Sequence, residues 1–147
     1  MKFIKRTLLI ILSLLGLLCL LLLTQCHSDI PLQEMKVRYA PAPSEFMTIE
    51  GQRVHFRDQG SGAPVLLLHG MGASLHTWEP WVAALQDSFR LISVDLPAFG
   101  LSGPHPQHDY SLQAYLDFMH RFAERLALDS FSIVGNSLGG AIAWNYA

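Results

Sequence analysis

The residues best suited to chemistry lie in three short motifs, and the strongest is Gly-Asn-Ser-Leu-Gly-Gly at 135–140. Ser137 has a glycine two positions to either side, Gly135 and Gly139. A serine raised off the end of a strand needs a tight turn, and glycines leave room where the strand and the next helix nearly touch. The N-terminus of that helix favours developing negative charge. The motif predicts a nucleophilic serine, and an ordinary turn with a capping serine is the alternative.

The second motif, His-Gly-Met-Gly at 69–72, is suited to holding the oxyanion of an acyl transfer. That intermediate needs two backbone amides aimed at its negatively charged oxygen. We expect one amide to be the N–H of Leu138, the residue after the serine, and the other to be the N–H of Met71. Gly70 and Gly72 let this loop approach a substrate closely.

Two further polar residues accompany these motifs. His69 has the chemistry of a general base, but we expect it to fix its loop by hydrogen bonds. Asp95 opens the third motif, Asp-Leu-Pro-Ala-Phe-Gly-Leu-Ser at 95–102. We expect it to accept backbone amides in a shaped loop, a catalytic role being the less favoured alternative. His105 and His108 lie in a proline-rich loop and are expected at the surface.

The elements that position these motifs follow from hydrophobic periodicity. Strands are predicted at 46–49, 54–57, 64–68, 90–94 and 131–134, and helices at 78–85, at 112–126 and from 138 onward. Ser111 is a plausible N-cap for the second helix. After an initial hairpin, strands alternate with helices, which indicates an α/β fold with a mostly parallel sheet and flanking helices. Ligands bind at the carboxyl ends of such strands, where all three motifs fall.

The strand order and the segments LLLHGMG, VDLPAFGLSG and VGNSLGG resemble the α/β-hydrolase fold family, in particular its esterase, lipase and C–C-bond hydrolase branches. The resemblance covers about residues 45–147. It implies that Ser137 attacks a carboxylic ester or a related acyl or C–C bond of a small-molecule substrate, without a cofactor or metal. The family loop usually has glycine where Ala98 stands. Haloalkane dehalogenases and epoxide hydrolases of this fold carry Asp at the nucleophile position, whereas cofactor-free haloperoxidases share the serine motif and stay an alternative.

The resemblance also implies a catalytic acid and a histidine that follow the serine in chain order, and residues 138–147 contain neither. Strand 131–134 is apolar and would be left as an open sheet edge. We therefore expect residues 45–147 to be the N-terminal part of a longer hydrolase domain, truncated after the nucleophile elbow and inactive alone. The alternative is a complete, catalytically inactive binding or interaction module tethered to a membrane.

The first 26 residues predict a membrane segment. Leu and Ile dominate 8–23, and three basic residues precede the run, Lys2, Lys5 and Arg6. The uncharged stretch 7–28 would span about 33 Å as a helix, enough for a bilayer core of about 30 Å. We expect a signal anchor at 1–26, a linker at 27–44 and an extracytoplasmic globular part. A lipoprotein attached through Cys26 and a protein secreted after cleavage are the alternatives.

Composition restricts the possible partners. The chain has ten basic residues, of which three lie in the leader, and twelve acidic residues, all of which follow the leader. The globular part is therefore acidic, and a nucleic-acid partner is not expected. Both cysteines, Cys19 and Cys26, lie in or beside the leader, which leaves the globular part without a disulfide or a zinc motif. Neither a P-loop nor a dinucleotide-binding glycine motif is present. Oligomeric state has no signal in the sequence.

Overall fold

The computed structural model of the chain describes residues 2–25 and 29–147. These divide into two compact units, Met1–Pro31 and Leu32–Ala147. The first unit contains helix α1, Lys2–Thr24. Its 22-residue stretch Phe3–Thr24 contains an 18-residue window with a mean hydropathy of 2.8, long and apolar enough to cross a membrane or to serve as a signal sequence. Cys26, the residue on which the lipoprotein alternative depends, lies outside the described residues.

The second unit is an α/β domain, as the sequence predicts. Its strands are β1 Ser44–Ile49, β2 Gln52–Gln59, β3 Ala63–Leu68, β4 Phe89–Val94 and β5 Ser132–Gly135. Its helices are α2 Leu32–Tyr39, α3 Glu79–Leu85, α4 Leu112–Arg125 and α5 Leu138–Tyr146, with a 3₁₀ turn at Leu75–Trp78. The sheet order is β1-β2-β4-β3-β5. β3 pairs in parallel with β4 and β5, whereas β2 is antiparallel to β1 and β4.

Strand β3 is apolar throughout because both of its faces are covered. Leu66 and Leu68 of β3 pack into one cluster with Phe122 of α4 and Ile142 of α5. Leu67, between them in the chain, packs on the other face in a second cluster with Trp78 and Val82. The predicted apolar stripe of α4 is buried at Tyr115, Met119, Phe122 and Ala123, although Leu112, at its first turn, is 41% exposed.

Regular structure begins earlier than the sequence predicts. Helix α2 occupies Leu32–Tyr39, inside the segment expected to be a linker. Pro31 stands immediately before the helix, where proline costs no hydrogen bond, so the proline-rich composition does not exclude it. A distant side chain caps its far end, since His76 Nε2 lies 2.9 Å from the Tyr39 carbonyl oxygen.

Candidate active site

Ser137 lies on a sharp turn between β5 and α5. Its backbone has φ 50° and ψ −111°, a region that residues other than glycine rarely adopt, and the residue is exposed. The turn is tied to the neighbouring strand, because the Asn136 N–H donates to the Leu68 carbonyl oxygen at 3.0 Å. The serine thus sits at the carboxyl edge of the sheet, in front of the N-terminus of α5.

The two flanking glycines are both required by close backbone contacts. A Cβ on Gly135 would overlap the carbonyl oxygen of Gly139, and a Cβ on Gly139 would overlap the carbonyl oxygen of Leu68. The strand and the helix therefore approach each other as closely as their backbones allow, which is what forces the chain to turn sharply at Ser137.

The loop after β3 lies against the serine. A Cβ built on the buried Gly70 would come within 3.2 Å of the Ser137 Cβ. The next residue, Met71, has a 75% exposed side chain. Within residues 2–25 and 29–147, the amides of Met71 and Leu138 donate to no backbone or side-chain acceptor. The structure thus leaves both amides predicted for the oxyanion hole free to bind a ligand.

His69 uses both of its ring nitrogens within the loop. Nδ1 lies 2.7 Å from the Gly70 carbonyl oxygen and so donates, whereas Nε2 accepts from the Leu96 N–H at 3.0 Å. Burial lowers the pKa of His69, and the hydrogen bond to Gly70 and the charge of Asp95 offset this only in part. The imidazole is neutral at neutral pH and has no free nitrogen with which to accept a proton from Ser137.

Asp95 holds two loops together beneath the site. Its fully buried carboxylate accepts the N–H of Leu75 at 2.7 Å through Oδ1 and the N–H of Leu101 at 2.8 Å through Oδ2. Burial alone would raise the pKa of Asp95, but hydrogen bonds from His55, Leu101 and Leu75 outweigh it and hold the pKa below its usual value. The carboxylate is fully occupied in shaping these loops.

His55 is a partner that the sequence did not reveal. Its Nδ1 lies 2.7 Å from Asp95 Oδ2, and both side chains are fully buried. The residue alternates with the apolar Val54 and Phe56 in β2, a pattern that would place a histidine on the solvent face of a strand. The nearest sequence signal is the motif at 95–102, which gives no indication of a partner 40 positions earlier in the chain.

A cavity of about 300 Å³ opens between the loops beside the serine. Its lining consists of Met71, Ala98, Phe99, Tyr110, Tyr115 and Leu138. Ala98 has φ 66°, a left-handed conformation that glycine adopts more readily. This accounts for the glycine that the family usually has there. Among the described residues, no group of three or more His, Cys, Asp or Glu side chains could hold a metal ion.

Comparisons with known proteins agree with this architecture. A family model described as the alpha/beta hydrolase fold matches residues 63–147. An uncharacterised Mycobacterium tuberculosis protein is 40% identical over 108 residues, which are 74% of this chain and 31% of that protein. Bifunctional epoxide hydrolase 2 of Sus scrofa is 36% identical over 66% of this chain and 18% of its own length. The Cif epoxide hydrolase of Acinetobacter nosocomialis superposes with a TM-score of 0.68 at 27% identity, covering 83% of this chain and 43% of that structure.

Proposed function

The chain belongs to the α/β-hydrolase fold family, and from that premise we propose that it is a serine hydrolase acting on carboxylic esters or related acyl or C–C bonds. The observation that carries the proposal is the exposed Ser137 in its strained turn, beside the unengaged amides of Met71 and Leu138. Relatives of this fold named as epoxide hydrolases and haloalkane dehalogenases support hydrolysis of a small molecule in general.

The proposed reaction proceeds through an acyl-enzyme. The Ser137 hydroxyl oxygen bonds to the carbonyl carbon while its proton passes to a base, and the amides of Met71 and Leu138 hold the resulting oxyanion. Collapse of this intermediate breaks the ester bond, and the departing alkoxide takes the proton. Water then attacks the acyl-serine, which releases the carboxylic acid and restores the hydroxyl. The amides at the N-terminus of α5 favour the negative charge at each step.

The base and the acid of the triad belong to the whole domain. The chain spans 31% of the length of the uncharacterised M. tuberculosis relative that it matches. Under the proposal, the histidine and the acid follow Ser137 in chain order, as the family's triad requires. His69 and Asp95 do not replace them, since their polar atoms already bind Gly70, Leu96, Leu75, Leu101 and His55.

An ester fits the serine better than an epoxide does, although some relatives are named as epoxide hydrolases. An aspartate that opens an epoxide forms an ester, which water can cleave. A serine that opened the same ring would form an alkyl ether, which water does not cleave, so the enzyme would stop after one turnover. An acyl-serine is hydrolysed readily, and the residue type at 137 therefore supports acyl substrates.

The test is covalent labelling of the native, full-length protein with a phosphonate directed at nucleophilic serines. We expect one labelled residue, Ser137, and no labelling of the Ser137→Ala variant. Ser130→Ala, on an exposed serine outside the site, is the matched control and should label like the native protein. A folded native protein that resists the label would favour the inactive interaction module. Labelling together with peroxide-dependent halogenation and no esterase activity would favour the haloperoxidase-like alternative.

We further propose that α1 anchors the protein in a membrane, with the hydrolase domain outside the cytoplasm. Its 22-residue apolar stretch is long enough, and the basic residues Lys5 and Arg6 at its start favour a cytoplasmic N-terminus. Protease added to cells whose outer layers have been removed and whose cytoplasmic membrane is intact should digest the domain while leaving α1 in the membrane. Release of the domain into the medium would indicate a cleaved signal, and acylation of Cys26 would indicate a lipoprotein.

A further inference from the structure

The cavity beside Ser137 contains a polar group that the described part of the chain leaves without a partner. Tyr115, on α4, is 5% exposed and lines the cavity. Its hydroxyl makes no hydrogen bond with any residue in 2–25 or 29–147, and it is not among the fully enclosed polar atoms. The phenol is therefore open to a group that enters the cavity.

The phenol stands in surroundings that disfavour charge. Among the described residues, the cavity is lined by Met71, Ala98, Phe99, Tyr110, Tyr115 and Leu138, none of which carries a charge at neutral pH. Burial raises the pKa of Tyr115, and interaction with Tyr110 raises it further, so the hydroxyl keeps its proton and can donate a hydrogen bond. An ionised group in such a lining would be desolvated without a counter-charge, at a large cost.

We propose that this cavity binds the acyl group of the substrate, and that this group is small, uncharged and mainly apolar, with one oxygen that accepts a hydrogen bond from Tyr115. The inference rests on the proposed serine hydrolase activity. A cavity of about 300 Å³ lies at the small end of the range for ligand sites, about 300 to 1,000 Å³. Met71 and Leu138, whose amides would hold the carbonyl oxygen, form part of the same lining, so the cavity lies next to the proposed oxyanion hole.

We assign the cavity to the acyl group of the ester because the alcohol, on the opposite side of the carbonyl carbon, must face the general acid. The departing alcohol receives its proton from the histidine of the triad, which under the proposed function follows Ser137 in the chain. Apart from Leu138, the described lining of the cavity comes from segments that precede the serine, namely the loops after β3 and β4 and the start of α4. The acyl group and the alcohol thus extend in different directions from Ser137.

The experiment measures kcat/KM of the native full-length protein with three p-nitrophenyl esters that differ only in the acyl group. Pentanoate provides the plain chain, 4-oxopentanoate adds an acceptor oxygen, and the half-ester of succinate adds a charge. We expect the oxo ester to be preferred over pentanoate and the charged half-ester to react at least about tenfold more slowly. Tyr115→Phe should lower kcat/KM for the oxo ester by about three- to tenfold more than it lowers kcat/KM for pentanoate, so that the oxo-to-plain ratio falls by that factor.

Tyr39→Phe is the matched control, because Tyr39 lies in α2, outside the cavity. It should leave the oxo-to-plain ratio unchanged. A native protein that labels at Ser137 but shows no preference for the oxo ester overturns this inference alone, whether or not the Tyr115 variant folds. A Tyr115→Phe variant that labels normally at Ser137 and keeps the native oxo-to-plain ratio of kcat/KM also overturns this inference alone. Failure of the native protein to label overturns the proposed function, and this inference with it.

Discussion

The imidazole of His55 and the carboxylate of Asp95 form a fully buried pair, with 2.7 Å between Nδ1 and Oδ2. Because the pKa of Asp95 is held low, the carboxylate is ionised and His55 Nδ1–H must be the donor. The same carboxylate accepts the amides of Leu75 and Leu101. One ion thus joins β2 to the loops that follow β3 and β4, and the first of these loops lies against Ser137.

Removing the donor of this pair should destabilise the domain. His55→Leu leaves the buried carboxylate with its two amides only, and we expect the free energy of unfolding to fall by about 1.5 to 3 kcal/mol, the value of a hydrogen bond to a charged group. His55→Asn keeps an N–H donor near the position of Nδ1 and should cost about half as much. Urea unfolding measures both. His120→Leu, on an exposed face of α4, should change stability by no more than about 0.5 kcal/mol and serves as the control.

The stability of the domain should depend on pH through His69. Its pKa is lowered by burial in the folded state, whereas in the unfolded chain the pKa is about 6.5. Between the two values the unfolded chain binds more protons, so stability rises with pH in this window. The contribution is complete above about pH 6.5 and is lost as the pH falls toward the lower, folded pKa. We expect the urea midpoint to decrease between pH 7 and pH 5.

The matched variant for this pH effect is His69→Asn, which cannot titrate. It should be less stable than the native protein at pH 7, because one of the two hydrogen bonds of the ring is lost. Its urea midpoint should change less between pH 7 and pH 5 than that of the native protein. The difference between the two proteins in this pH dependence gives the contribution of His69 apart from the other histidines. Equal slopes in both proteins would contradict a lowered pKa at His69.

The parts of the fold that the sequence predicts well are those fixed by local patterns. The apolar runs of β3 and β4 reveal buried parallel strands, and the stripe of α4 with its cap at Ser111, whose side chain accepts the Ala114 N–H, reveals an amphipathic helix. What the sequence does not predict depends on partners far along the chain. The last residue of helix α2, Tyr39, accepts a hydrogen bond from His76 through its carbonyl oxygen. The His55–Asp95 pair joins residues 40 positions apart, and no local pattern contains it.

The close approach of backbones at the nucleophile turn predicts a sharp difference between two neighbouring glycines. A Cβ on Gly139 would overlap the Leu68 carbonyl oxygen, so Gly139→Ala forces β3 and α5 apart and should cost about 3 kcal/mol or more. A Cβ on Gly140 would lie 3.2 Å from the Gly135 carbonyl oxygen, a contact that a small shift relieves. Because alanine also favours the helix by about 1 kcal/mol, Gly140→Ala should be close to neutral. Thermal or urea unfolding distinguishes the two, and equal losses would contradict the geometry.

The strained backbone of Ser137 predicts that its removal stabilises the protein. A residue other than glycine at φ 50° and ψ −111° costs about 1 to 3 kcal/mol. Ser137→Gly relieves this strain but loses about 0.5 to 1 kcal/mol to the freedom of glycine in the unfolded chain. We expect a net gain of about 1 kcal/mol in the free energy of unfolding.

Ser137→Ala separates strain from the loss of the hydroxyl. Its Cβ keeps the strain, and the serine side chain makes no capping hydrogen bond that alanine would forfeit, so its stability should match that of the native protein. Both variants should lose phosphonate labelling, but only the glycine variant should unfold at higher urea. If the alanine variant gained as much as the glycine variant, the hydroxyl rather than the backbone would be the destabilising group. The turn would then hold Ser137 without strain, and the strongest physical sign that its conformation serves catalysis would be lost.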